Sequence, residues 1–291
     1  SNIFNVLFIL GVSALMVPLA VSRQLVRLDV PLMMAASVLA LVLGSDGLLS
    51  RAEGVVLFSG LIAYNLFLFL GSRREAAPKR DEFAQEYGAK GGRSATQWLV
   101  NAALVVGGLG ALILGSRWLV SSATAIAHRL GVSELIIGLT IVAAGTSLPE
   151  VVTSVLASVK GERDIAVGNV VGSNLFNLLG VLGVSAVAAP AGLLVSPAAL
   201  RFDIPVMIAV AFACLPIFFT GQRIARWEGV LFLAYYVAYT LYLILAAMEH
   251  DALGAYSTVM LTFVLPPTAL TLALHPAYIF GRHAPHRVGG R

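Results

Sequence analysis

Charge is what this sequence has least of. Only 12% of its 291 residues are charged and 58% are hydrophobic, whereas soluble domains carry about 25% charged residues. Too little polar surface is available to face water, so the composition excludes a soluble globule and requires an integral membrane protein. Cysteine is equally scarce. A single residue, Cys214, excludes a disulfide framework and a cysteine-based metal site. The five histidines fall in loops and the tail without a ligand spacing such as HExxH, and there is no GxSxG, Walker A or strand–helix GxGxxG pattern. Acids are almost absent from the apolar runs, and Glu150, in "GTSLPE", is the only one deep inside such a run.

What the chain does have is apolar length. A helix needs about 20 apolar residues to cross the hydrocarbon core. Nine candidate spans lie near 3–21, 28–44, 54–71, 98–115, 134–158, 165–189, 203–220, 229–247 and 254–274. The long polar stretch 72–97 reads as a loop between two halves, with 248–291 an extra apolar segment and basic tail. The basic pI near 9.4 does not point to nucleic acid, because Lys and Arg sit between the apolar runs. With 72–97 placed in the cytoplasm, only Arg51, Arg117, Arg129 and Arg201 of the 19 basic residues face outside, a strong positive-inside bias.

The sequence also repeats itself. "SNIFNVLFILGVSA" at 1–14 matches "SNLFNLLGVLGVSA" at 173–186. "LDVP" (28–31) then matches "FDIP" (202–205), "RAEGVVLF" (51–58) matches "RWEGVLF" (226–232), and Tyr64 pairs with Tyr239. Chance likeness between apolar helices explains one match but not several in the same order. Matching spans are five apart, an odd number, so the copies cross the membrane in opposite senses. Inverted repeats are a transporter architecture with the substrate site at the repeat interface. Residues 97–172 have no counterpart in the first half. The repeat therefore predicts a chain that starts inside its first copy, carrying about nine of eleven helices.

Two stretches can carry chemistry. In "GTSLPE", Thr146, Ser147 and Glu150 share a helix face, and Pro149 removes a backbone donor and frees carbonyls in the preceding turn. Hydroxyls, carbonyls and a carboxylate form an oxygen set for hard cations such as Na⁺ or Ca²⁺. The plainer alternative is a proline kink with a neutral, internally bonded glutamate, although intramembrane acids are functional by default. In "GNVVGSNLFN" (168–177), Ser173 and Asn177 share a face, as do Ser1 and Asn5 in the first copy; the alternative there is a small-residue packing seam. Asp29, Asp203, Glu53 and Glu228 read as partners of helix N-terminal dipoles.

These motifs resemble the calcium/cation antiporter superfamily, the sodium/calcium exchangers. "GLTIVAAGTSLPEVVTSVLASVKGERDIAVGNVVGSNLFNLLGVLG" resembles their second alpha-repeat (138–186 here) and "SNIFNVLFILG" the tail of the first. The resemblance implies an all-α inverted-repeat exchanger fold with repeat units at 1–71 and 98–247. It implies a cation site formed by Thr146, Ser147, Glu150 and the Ala143 carbonyl, with Ser173 and Asn177, and with Ser1 and Asn5 from the first repeat. The first-repeat equivalent of Glu150 is absent from the sequence. The span at 98–115 corresponds to a helix expected to slide during alternating access. Several such exchangers carry aspartate where Asn177 stands.

The implied function is Ca²⁺/Na⁺ antiport without a cofactor, in a bilayer taken to be a prokaryotic inner membrane. A Ca²⁺/H⁺ antiporter is the alternative; an intramembrane hydrolase using Glu150 as base lacks a nucleophile. Single-cysteine labelling after Cys214 replacement tests the topology: positions in 72–97 and beyond Arg282 should react only from the cytoplasmic side. Labelling of either region from outside would reverse the assignment.

Overall fold

The computed structural model describes residues 1–86, 95–219 and 222–266, and these are almost wholly helical. α1 (Asn2–Met16) stops at Val17, held extended at φ −144° and ψ 128°, as the ring of the following Pro18 demands. α2 (Leu25–Leu43) and α3 (Arg51–Glu86) complete the first half. α4 (Ala95–Arg129) leads to α5 (134–146), α6 (Leu148–Val159), α7 (Arg163–Ala188), α8 (199–219), α9 (Arg226–Ala247) and α10 (252–266). Four two-residue strands join loops of opposite halves. β1 (Leu19–Ala20) pairs antiparallel with β4 (Arg223–Ile224), and β2 (Leu48–Leu49) with β3 (Leu193–Leu194).

Nine spans are predicted by the sequence; among the described residues five single helices are long and apolar enough to cross a bilayer. They are α2, α3 from Arg51 to Gly71, α4 from Thr96, α7 and α9, and α5 with α6 makes a sixth across a 57° bend. α1 is apolar but short. α8 is a 16-residue α-helix, Ile204–Phe219, entered through a π-turn. Of the ninth predicted segment, 267–274 lies outside the described residues, as does the basic tail. The stretch 72–97 also differs from its reading as a loop, since α3 continues through it to Glu86. Ala, Glu, Lys, Arg and Gln are good helix formers, and a helix already nucleated propagates cheaply.

The repeat is visible atom by atom. Widened π-turns occur at Asn5–Leu10 and Phe176–Val181, and again at Leu25–Asp29 and Ala199–Asp203. The Tyr64 hydroxyl donates to Asp29 Oδ1 at 3.0 Å, and the Tyr239 hydroxyl to Asp203 Oδ1 at 2.9 Å. These aspartates lie a full turn inside their helices and bind tyrosines, so they are not the dipole partners the sequence suggests. Glu53 and Glu228 do act at helix starts. Glu53 Oε2 accepts from Ser50 N at 2.8 Å, and Glu228 Oε2 from Ala225 N at 2.7 Å.

The two halves interlock. α1 of the first packs on α9 of the second, and α7 of the second on α3 of the first, both through paired glycines. A Cβ at Gly229 would sit 2.8 Å from the Gly11 carbonyl oxygen, and one at Gly54 2.7 Å from that of Gly183. Backbone meets backbone at both crossings, the close approach that small residues permit between membrane helices. The core lies between these crossings, filled by residues such as Ile9, Leu10, Met33, Val170 and Leu175.

α4 stands apart from this core. Its 34-residue apolar stretch, Thr96–Arg129, buries none of its most apolar window. At 1.5 Å per residue it is roughly 50 Å long, well beyond a hydrocarbon core of about 30 Å, so it must tilt or protrude. It touches the core where Val120 packs on Gly145, leaving no room for a Cβ there.

The crossings predict a contrast between identical substitutions. Gly54→Ala should destabilise the detergent-purified protein by about 1–3 kcal/mol through overpacking against an immovable backbone. Gly60→Ala, whose added Cβ would find its nearest neighbour at 3.6 Å, should melt within a degree or two of the parent, on the usual size of neutral surface changes. Equal melting temperatures for the two would show that the α3–α7 contact is looser than drawn.

Candidate cation site

The α5–α6 bend forms where the sequence provides for it. Ser147, at φ −97° and ψ 8°, ends α5 and begins α6, with Pro149 in the first turn of α6. Proline is tolerated there because the first-turn N–H groups lack helical partners in any case. The bend separates the residues that a straight helix would line up. Thr146 is exposed and its hydroxyl turns back to the Ala143 carbonyl at 3.0 Å. Ser147 is 2% exposed and donates to Ser1 Oγ at 3.3 Å, linking the bend to the first half. Glu150, in the first turn of α6, is half-buried, and its Oε2 is fully buried without a hydrogen-bond partner.

Glu150 opens on a cavity of about 270 Å³ lined by Gly168, Asn169, Gly172, Ser173, Phe176 and Asn177. The glycines of α7 give this wall no side-chain bulk, and Glu150, Ser173 and Asn177 border the same space. Asn169 secures the other side of α6. Its Nδ2 donates to the Glu150 carbonyl at 3.3 Å and to Ser154 Oγ at 2.9 Å, and Ser154 Oγ donates to the Ala166 carbonyl at 3.3 Å. α6 and α7 are thereby fastened together next to the glutamate.

Beneath the cavity lies a crossed pair of amides. Asn5 Nδ2 donates to Asn174 Oδ1, and Asn177 Nδ2 donates to Asn2 Oδ1, each at 3.0 Å. Repeat positions 2 and 5 correspond to 174 and 177, so the two bonds are one interaction made twice. The outer nitrogens also match: Asn2 Nδ2 points to Met207 Sδ and Asn174 Nδ2 to Met33 Sδ, each at 3.5 Å. Because Asn177 commits its nitrogen to Asn2, its oxygen is the atom left for the cavity. Asn5 is 1% exposed, and its Oδ1 is buried without a partner.

A second cavity, about 320 Å³, lies on the other side of this lattice. Ser1, Asn2, Ala143, Asp203, Tyr239 and Thr240 are among its walls. The eight residues singled out in the sequence therefore divide. Glu150, Ser173 and Asn177 share the first cavity, while Ser1 and the Ala143 backbone border the second. Ser147 joins Ser1, Asn5 sits in the lattice below and lines neither cavity, and Thr146 faces away from both. No group of three or more His, Cys, Asp or Glu side chains able to hold a metal occurs among the described residues.

The sequence matches the sodium/calcium exchanger protein family over residues 1–70 and 100–245. The chain belongs to that family. It is an integral-membrane cation exchanger and not an enzyme. This exchanger is 37% identical over 242 residues to CaxA of Alkalimonas amylolytica, covering 82% of this chain and 74% of that protein. It is also 37% identical over 215 residues to the inner membrane protein YrbG of Escherichia coli, covering 72% of this chain and 64% of YrbG. Its fold resembles the sodium-calcium exchanger NCX_Mj in crystals soaked with 10 mM Na⁺ and 10 mM Sr²⁺. The TM-score is 0.62 at 28% identity, covering 81% of this chain and 71% of the other.

Sequence reasoning missed Asn2, Asn174 and Asn169. The signal was present for two of them. Asn2 and Asn174 are the "SN" of the repeat itself; reading motifs one helix at a time hid their partners. A double-mutant cycle on Asn5→Ala and Asn174→Ala should return a coupling of about 0.5–1.7 kcal/mol in thermal or chemical unfolding, the span of interhelical polar pairs in membranes. Strict additivity of the two would mean the amides do not meet.

Proposed function

We propose that this exchanger carries Ca²⁺ one way and Na⁺ the other, by alternating access to a site centred on Glu150. The observations that carry the reading are that Glu150 Oε2 is buried without a partner and that Glu150 lines one cavity with Ser173 and Asn177. A carboxylate without a partner in this setting costs several kcal/mol, and a desolvated cation is the partner that removes the cost. Asn177 contributes its oxygen and Ser173 its hydroxyl. Ser1, Ser147, Thr146, Asn5 and the Ala143 carbonyl supply further oxygen as the α5–α6 bend changes angle.

Ca²⁺ takes six to eight oxygen ligands and tolerates irregular geometry, which suits a shell of one carboxylate and several neutral oxygens. Support for the ion pair comes from relatives bearing it in their names. Sodium/calcium exchanger MaX1 of Methanosarcina acetivorans is 43% identical over 129 residues, covering 44% of this chain and 36% of MaX1. We assign the protein to the inner membrane of a prokaryotic cell, in keeping with YrbG, with 72–97 on the cytoplasmic side. The repeat units are 1–71 and 98–247. The long α4, which buries none of its most apolar window, is the element free to move while the interlocked helices α1, α3, α7 and α9 stay still.

Ca²⁺ uptake into proteoliposomes under an imposed Na⁺ gradient, compared with an imposed pH gradient, tests both ions at once. Na⁺-driven uptake is expected, and uptake driven by pH alone would replace Na⁺ with H⁺ as counter-ion. Glu150→Gln should lower uptake by roughly a hundredfold or more, the effect of removing one buried charge from a cation site, with expression and melting near those of the parent. Uptake at parental rates would remove Glu150 from the site.

A further inference from the structure

We infer that the β1–β4 ribbon is a binding surface for the headgroups of anionic phospholipids, lined by arginines from both halves of the chain. The ribbon has a twin of the same fold and different charge. Leu19 faces Ile224 and Ala20 faces Arg223 in β1–β4, while Leu193 faces Leu49 and Leu194 faces Leu48 in β2–β3. The repeat superposes these registers pair for pair. It sets Arg23, Arg27, Arg223 and Arg226 of the first ribbon against Pro197, Arg201, Leu48 and Arg51 of the second. Four arginines stand where the twin has two. Arg51 is also committed, because its Nε donates to the Val187 carbonyl at 3.0 Å. The twin folds with leucine and proline at the differing positions, so pairing of the strands does not require Arg23 or Arg223.

All four arginines of the β1–β4 ribbon are exposed, and the acids nearest them in the chain are turned inward. Glu228 is 3% exposed and accepts from Ala225 N at 2.7 Å, while Asp29 is 5% exposed and accepts from Tyr64 and Gln24. The α7 segment Arg163–Leu175 packs on β1, and at its start Glu162 and Asp164 are balanced by Lys160 and Arg163. The surplus charge is that of the four arginines. Arg27 lies in the first turn of the apolar span α2, and Arg226 opens the apolar span α9. The cluster therefore sits at the level where a bilayer holds its phosphates. Trp227, next to Arg226, is 45% exposed, and tryptophan is enriched at that level. A guanidinium presents a planar fork of donors matched to phosphate, and basic clusters at span ends attract anionic headgroups. A phosphodiester anchored by acyl chains in the adjoining hydrocarbon supplies the negative charge that the protein withholds. Arg23 and Arg27 belong to one half and Arg223 and Arg226 to the other, so bound headgroups reinforce a junction already made by backbone bonds such as Val21 N to the Gln222 carbonyl at 2.8 Å.

Tryptophan quenching by brominated lipid reads this surface directly and involves neither Glu150 nor transport. The chain has three tryptophans, so Trp98→Phe with Trp118→Phe leaves Trp227 as the only reporter. The protein is reconstituted into vesicles of phosphatidylcholine and phosphatidylglycerol in equal parts, with bromine on the acyl chains of one lipid or the other. Both leaflets carry both lipids, so the result does not depend on orientation. Phosphatidylglycerol should be enriched around Trp227 by roughly fivefold, the size of one arginine's attraction to anionic headgroups. Arg23→Gln with Arg27→Gln, in the other half of the chain from Trp227, should remove most of that preference while the melting temperature in phosphatidylcholine alone stays near the parent's. The twin-ribbon pair Arg51→Gln with Arg201→Gln should leave the preference unchanged. Equal quenching by the two lipids, or the parental preference in the Arg23→Gln, Arg27→Gln protein, would overturn the surface. Inorganic phosphate that abolishes the preference, where chloride of equal ionic strength does not, would assign the arginines to free phosphate and overturn the lipid.

Discussion

Two hydrogen bonds between asparagines hold the centre of this exchanger. Asn5 to Asn174 and Asn177 to Asn2 cross between the repeats at 3.0 Å each, in a region where an unpaired amide costs a few kcal/mol. Each half supplies one donor and one acceptor, so neither can satisfy its own. The bonds sit at the start of matched π-turns, where the widened helix carries one more residue per turn and redirects its side chains. Everything else around the site is arranged on this frame. The amides set how close α1 and α7 come, the glycine crossings Gly11–Gly229 and Gly54–Gly183 fix the outer spacing, and the bend at Ser147 is hung from the frame by Ser1.

Asn177 belongs both to the frame and to the cavity: its nitrogen donates to Asn2, and it lines the space beside Glu150. An aspartate there would lose the bond to Asn2 and add a charge beside Glu150. One side chain thus bears on both the frame and the cavity, and its identity sets the geometry and the charge there.

Much of this was legible in the sequence because an inverted repeat writes its evidence twice. Composition required a membrane protein, the repeat required two interlocking halves, and Pro149 required a break beside Glu150. The helix does bend by 57° there. What the sequence could not display was direction. Thr146 and Ser147 share a face with Glu150 on a straight helix, but the break lies between them and Glu150, and Thr146 turns away. Asp29 and Asp203 looked like span-opening acids because the π-turns that precede them have no sequence signature, so the helices begin earlier than the apolar runs. The two-residue strands were invisible for the same reason. Leu19–Ala20 and Leu48–Leu49 are too short to show alternation, and their partners lie in the other half of the chain. The stretch 72–97 looked like a loop from its charge, though residues 72–86 continue the helix α3.

The crossed amides have a consequence for how the protein is made. Asn5 and Asn177 find their partners 169 and 175 positions away in the chain. During synthesis α1, α2 and α3 enter the bilayer long before α7 exists. Through that interval the α7 partners of Asn2 and Asn5 do not yet exist. Gly11 likewise waits for Gly229 and Gly54 for Gly183. The first half of the nascent chain is therefore an incomplete surface, held open by the insertion machinery or by water until the ribosome delivers its complement. Assembly is the closing of one half on the other, late and nearly all at once.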